Sequence, residues 1–91
     1  MSVQWNSEQA RFELDVEGQL AIADCIVRPN EWIVTHVEVP HALRGGGVAS
    51  RLASGIIDYA RENQGKITPL CGFMVAYFQR HPEAHDVLKS P

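Results

Sequence analysis

This chain lacks most of what marks an exported, membrane-bound or nucleic-acid-binding protein. No apolar run approaches the roughly 18–20 residues that span a bilayer. The first residues, Met1-Ser2-Val3-Gln4-Trp5-Asn6, have neither the basic start nor the apolar core of a signal peptide. Cysteine is scarce: Cys25 and Cys71 cannot make a disulfide framework, and with no export signal a reducing cytoplasm with two free thiols is expected. Excess positive charge is missing too, and a net charge of −3 argues against nucleic acid as a main partner. The four histidines and two cysteines show no metal-ligand spacing, so no metal is expected. There is no internal repeat, low-complexity stretch or linker. Ninety-one residues make one domain, 1–91, with room for one sheet and a helix or two.

What is present is clear patterning. Arg11 to Val16 alternates, with Phe12, Leu14 and Val16 on one side and Arg11, Glu13 and Asp15 on the other, which predicts a half-buried strand. Glu17-Gly18-Gln19 predicts a hairpin turn. Leu20 to Val27 follows, apolar or small on both faces (Leu20, Ile22 and Ile26 against Ala21, Ala23, Cys25 and Val27), so it is expected inside the sheet. After the turn Arg28-Pro29-Asn30-Glu31, Trp32 to Val39 predicts a third strand ended by Pro40. Ala49, Leu52, Ala53, Ile56, Ile57 and Ala60 form one apolar stripe at helical spacing, and Gly65 is expected as the left-handed residue past the helix end. Lys66 to Cys71 reads as a short strand, which makes a right-handed βαβ crossover. A second helix is expected over Phe73 to Arg80, stopped by Pro82, with a loosely held tail to Pro91.

The most informative segment is Glu38-Val39-Pro40-His41-Ala42-Leu43-Arg44-Gly45-Gly46-Gly47-Val48-Ala49. A strand, a basic glycine-rich turn and a helix together build a phosphate cradle. Glycine lets the backbone approach the anion, the first helical N–H groups point at it, and the helix dipole and Arg44 add positive charge. The turn is not a P-loop, because no Gly-Lys-Ser/Thr follows. Nor is it a dinucleotide fingerprint, because Ser50 stands where the third glycine belongs. As a plain flexible connection, three consecutive glycines would cost conformational entropy for nothing.

Arg44, Gly47 and Ala49 give Arg-x-x-Gly-x-Ala, which resembles the pyrophosphate-binding turn of the GCN5-related N-acetyltransferases. Together with Val39-Pro40, with Pro69-Leu70-Cys71-Gly72-Phe73 and with Tyr77-Phe78-Gln79-Arg80-His81-Pro82-Glu83, the chain looks like the small single-domain members of that superfamily, from about Phe12 to Glu83. Their tail commonly continues with tyrosine, where this chain has Ala84, so no role of that tyrosine carries over.

The resemblance implies an α/β fold: a mixed sheet of about four or five strands with a βαβ core that binds acetyl-coenzyme A. It implies cofactor contacts from Val39, Arg44, Gly45, Gly46, Gly47, Val48 and Ala49. Arg80 and His81 read as phosphate contacts or as surface residues, and Arg80 is counted among the cofactor contacts. It also implies an acetyl transfer to an amine, with a base on the third strand. Glu38 and His36 fall on one side of that strand and fit the role, against a bland reading as solvated edge residues. Cys71 is expected at a strand end beside the thioester, as an acetyl carrier or merely a small buried hydrophobe; Cys25 reads as packing. Tyr77 is either the proton donor to the departing thiolate or a core aromatic beside Phe73 and Phe78. Full-size acetyltransferases have extra N-terminal helices that shape the acceptor site, and this chain lacks them. The acceptor, a protein side chain or a small amine, is not legible. Neither is the oligomeric state, expected to be a monomer or weak homodimer. A non-catalytic acyl-coenzyme A module and a plain interaction domain are the rival readings.

Overall fold

In the computed structural model, which describes residues 2–89, five strands form one sheet in the order β1-β2-β3-β4-β5. They are β1 (Gln4–Asn6), β2 (Arg11–Val16), β3 (Gln19–Arg28), β4 (Glu31–Glu38) and β5 (Lys66–Pro69). The first four form an antiparallel meander, and β5 runs parallel to β4. The β2–β3 loop is two residues long, and Glu17 and Gly18 both take positive φ (54° and 82°), the primed turn that suits the twist of a hairpin. Asp15 accepts a hydrogen bond from the Gly18 N–H at 2.9 Å and fixes it. At the next turn Pro29 precedes Asn30, which sits at φ 57°.

Strand β1 was not expected from the sequence. It is only three residues long, and Trp5 gives it its place: Trp5 lies opposite Phe12 in register, with ring centroids 4.8 Å apart. Phe12 is fully buried and also meets Tyr59 and Trp32 edge-on at 5.3 and 6.2 Å.

Helix α1 (Val48–Glu62) crosses from β4 to β5, and α2 (Gly72–Arg80) follows β5. Both pack on one face of the sheet, α1 over β2 and β3 and α2 over β4 and β5, and they touch each other. All the buried apolar residues form a single core between that face and the helices, with Phe12, Leu52, Ile56, Ile67 and Met74 at its centre. Strand β3 lies inside the sheet, as its two apolar faces predict, yet the faces are used in an unexpected way. Ala21 and Ala23, the small residues, are fully buried under α1, whereas Leu20 and Ile26 are 37% and 48% exposed. Short side chains let the helix lie close, and they leave the larger ones on a face that no helix covers.

Two expectations are corrected. The left-handed residue after α1 is Gln64, at φ 56°, and not Gly65. The Gly65 N–H bonds the Ala60 carbonyl at 2.9 Å and that of Gln64 bonds Arg61 at 3.3 Å, so the helix closes in a Schellman pattern with Gln64 at its turning point. Glycine is needed at Gly65 for another reason: a Cβ there would run into the Trp32 ring. A side chain in the left-handed region costs about 1 kcal/mol that glycine does not. Gln64→Gly is therefore expected to stabilise the fold by about 0.5–1 kcal/mol in urea unfolding. The tail is not loose either. Residues Pro82–Val87 form a 3-10 helix with Ala84 and Val87 buried. Arg61 grips Asp86 through two bonds of 2.8 Å, and His85 Nε2 meets the Phe78 carbonyl at 2.7 Å. Ser90 and Pro91 lie outside the described residues.

Candidate active site

The site begins with an irregularity in β4. Val34 pairs with Cys25 and His36 with Asp24, so Thr35 is an extra residue without a partner on β3. Its hydroxyl donates to the Asp24 carbonyl at 3.3 Å instead. Such a bulge bends the strand. At the same level the parallel pairing stops. The last register pair is Val34 with Pro69, and the Leu70 N–H makes the closing bond to the Val34 carbonyl at 2.9 Å. Pro69 has no N–H to extend the ladder, and the chain turns away through Cys71, the N-cap of α2. Strand β4 runs on through Thr35–Glu38 with no strand beside it on that edge. The two strands thus form a fork.

At the mouth of the fork lies the glycine turn. A 3-10 helix, His41–Leu43, leads to Arg44, whose Nε donates to the Val39 carbonyl at 3.3 Å. Gly45 and Gly47 take φ of 87° and 77°, with open space where a Cβ would stand. Gly47 is the N-cap of α1, and no side chain caps the first turn. Its first N–H groups have no side-chain partner, a condition under which a helix N-terminus can receive an anion. Val39, Leu43, Arg44, Gly45, Gly47, Val48, Ala49 and Ser50 line a cleft of about 150 Å³ here. Of the expected cofactor residues, Gly46 and Arg80 do not line it. Arg80 is exposed in the last turn of α2, at the end of the helix away from the fork.

Glu38 and His36 are on the opposite side. They share the face of Ile22 and Asp24, their register partners on β3, which alternates with the buried Ala21 and Ala23. His36 Nε2 and Glu38 Oε1 are 3.2 Å apart, and both side chains are exposed, at 57% and 65%. The glycine turn and the Glu38–His36 pair therefore stand on opposite faces of the sheet, with the fork as the opening between them. Sequence alternation places Glu38 and His36 together; that the cradle lies across the sheet from them depends on where α1 lands.

Cys71 sits half-buried at the closed end of the fork. Cys25, on the core face beside Val34, is a different thiol: burial, then the nearby Asp24 and Cys71, push it up to about 12, so it is inert at neutral pH. Tyr77 is a core aromatic, 7% exposed, with its ring stacked on His81 at 4.0 Å. Its hydroxyl sits beside Ser54, and burial and the charge of Glu83 raise its pKa. The small cleft it lines is bordered by Ser54, Asp58, Arg61 and His81, and by neither Glu38 nor Cys71. The structure thus brings Glu38, His36 and Cys71 to the fork and leaves Tyr77 in the helix layer. Among the described residues, no group of three or more His, Cys, Asp or Glu side chains is placed to hold a metal, and no helix is long and apolar enough to cross a membrane.

The family model of the GCN5-related N-acetyltransferases matches residues 11–87, from the first residue of β2 to the end of the 3-10 tail. The chain belongs to this family. Its fold agrees. The solution structure of a GCN5-like candidate N-acetyltransferase from Staphylococcus aureus superposes with a TM-score of 0.72 at 27% sequence identity, covering 99% of this chain and 89% of that one. No curated protein matches this acetyltransferase-family chain. The glycine turn, the fork and the Glu38–His36 pair all fall within the matched residues.

Proposed function

We propose that this protein binds acetyl-coenzyme A and transfers its acetyl group to an amine. The observation that carries the reading is the uncapped first turn of α1, entered through two left-handed glycines and opening beside the fork. Bound acetyl-coenzyme A would supply the activated acyl group. The N–H groups of Gly45 to Ala49, with Arg44, would hold the pyrophosphate. The unpaired edge of β4 offers N–H and C=O groups to an amide-bearing arm, as a sheet edge does to an added strand. An N–H of that edge near Val39 would stabilise the oxyanion. Glu38, held by His36, would take the ammonium proton on the far side of the sheet. Cys71, at the closed end of the fork, is better placed than Tyr77 to meet the sulfur end.

Titration calorimetry with acetyl-coenzyme A tests this. Micromolar binding is expected, and the double variant Arg44→Ala/Gly47→Val should abolish it. A β-branched residue at φ 77° is strained by about 1–3 kcal/mol and distorts the cradle. No heat at high micromolar ligand, with the wild-type chain folded, overturns the reading. A second reading, a non-catalytic acyl-coenzyme A-binding module, is favoured by the exposure of Glu38 and His36, which nothing shields from water. It keeps the binding and loses the turnover.

A further inference from the structure

The face that carries Glu38 is the one no helix covers, and negative charge gathers there in a compact patch. One register row crosses four strands: Gln4, Glu13, Ile22 and Glu38. In the row on one side of it stand Arg11, Asp24 and His36, and on the other side Asp15 lies opposite Leu20. Ile22 and Leu20 are thus bordered by four carboxylates, Glu13, Asp15, Asp24 and Glu38. The arginine among them, Arg11, has its Nε committed to Glu13 at 2.7 Å. Asp15 accepts the Gly18 N–H, a bond that holds the hairpin turn and brings no charge. The Asp24 side chain has no hydrogen-bond or ion-pair partner among the described residues. Farther along the face Glu31 is already matched, by Lys89 and the Thr68 hydroxyl. The surplus is therefore confined to the end of the sheet that holds the fork. A cleft of about 660 Å³ opens on it, lined by Ser2, Gln4, Glu13, Asp15 and Leu20.

From this arrangement we infer that the acceptor is a linear polyamine, its reacting ammonium at Glu38, its methylene chain across Ile22 and a second ammonium at Glu13 and Asp15. The inference rests on the acetyl-transfer reading above and names its acceptor. Strands about 4.8 Å apart put Glu38 and Glu13 about 10 Å from each other, with Ile22 between them. A chain with about eight atoms between its terminal nitrogens, as in spermidine, covers about 11 Å at about 1.2 Å per bond. Its methylenes lie on the half-buried Ile22, and its far cation meets carboxylates in place of the water it gives up. A diamine as short as putrescine cannot reach both ends. A long basic protein segment would run past the patch to the matched Glu31, so the compact surplus fits the small cation. In the transfer the ammonium gives one proton to Glu38 and its nitrogen bonds the acetyl carbon. The carbon–sulfur bond breaks, and the second proton of that nitrogen passes to the departing thiolate.

The test compares initial rates with acetyl-coenzyme A for spermidine, 1,8-diaminooctane, putrescine and n-octylamine, the last as long as the second but singly charged. Spermidine and 1,8-diaminooctane are expected to show kcat/KM about fivefold or more above the other two. Their advantage over n-octylamine should shrink to within about twofold when NaCl rises from about 50 mM to about 500 mM, because exposed charges are screened. Asp15→Asn keeps an oxygen for the Gly18 N–H. It should raise KM for 1,8-diaminooctane about threefold, with kcat within about twofold, and leave n-octylamine unaffected. Glu62→Gln, in the last turn of α1, should change neither. Three results overturn the inference: n-octylamine or putrescine matching spermidine, a blocked Lys-Gly-Lys peptide turned over faster than spermidine, or an unchanged KM in Asp15→Asn. If no amine is turned over, amide NMR of the protein titrated with spermidine separates the two readings. Shifts at Glu13, Asp15, Ile22 and Glu38 that Asp15→Asn weakens uphold this surface as a polyamine site while acetyl transfer fails. Shifts elsewhere, shifts that Asp15→Asn leaves as they are, or none, dismiss it.

Discussion

Phe12→Ala is expected to remove about 3–5 kcal/mol of stability, the largest single loss any aromatic in this chain would cause. Phe12 is fully buried and lies among three other aromatic rings: Trp5 on β1, Trp32 on β4 and Tyr59 on α1. Its removal leaves a cavity where strand and helix layers meet, and it takes from the short strand β1 the partner that holds it. Trp32 and Tyr59 are braced against each other at 5.5 Å and cannot both collapse into the space. Domains of this size have total stabilities of about 5–15 kcal/mol, so the variant should unfold at far lower urea. Equilibrium unfolding followed by tryptophan fluorescence measures it. A loss below about 1 kcal/mol would mean that the cluster is not the keystone the packing makes it.

On the functional side, the largest change expected is in Glu38→Gln. The variant keeps the shape, keeps a hydrogen-bonding partner for His36, and removes the carboxylate proposed to accept the ammonium proton. General-base loss of this kind lowers kcat by about 10²–10⁴-fold. Affinity for acetyl-coenzyme A should not change, because the cradle is on the other face. His36→Ala should cost less, since His36 reaches the proton only through its 3.2 Å contact with Glu38. Thiol release in a discontinuous assay and calorimetry on the same samples report the two quantities. Equal turnover in wild type and Glu38→Gln would remove Glu38 from the chemistry and favour the binding-module reading.

Where periodicity was strong, the sequence was easily read. The apolar stripe of α1, the alternation of β2 and the strand–glycine–helix passage all appear where expected, because each is set by neighbours within a few residues. Readings that depend on distant residues fared differently. Nothing in Gln4-Trp5-Asn6 announces a strand until Phe12 lies opposite. Both faces of β3 are apolar, so which one stays open is decided by the landing of α1 and by the small size of Ala21 and Ala23. Gly65 resembles a helix terminator, yet its missing side chain makes room for Trp32, thirty-three positions away in sequence. The same limit applies to the site. Arg44 and the glycines belong to one local motif, and Glu38 adjoins it, but the separation of the glycine turn and the Glu38 side chain onto opposite faces is a tertiary fact. So is the seclusion of Tyr77 beside Ser54.

The strand order also sets the sequence in which the molecule can assemble. Strands β1 to β4 each pair with their chain neighbour across a short loop, and such contacts close at little entropic cost. The fork needs β5, which reaches β4 only after the whole of residues 39–65 has been threaded over the sheet. During synthesis the meander can form while Lys66 is still unmade. The fork is therefore absent until the meander and α1 have been made, and the unpaired edge of β4 is exposed to any passing strand until β5 arrives.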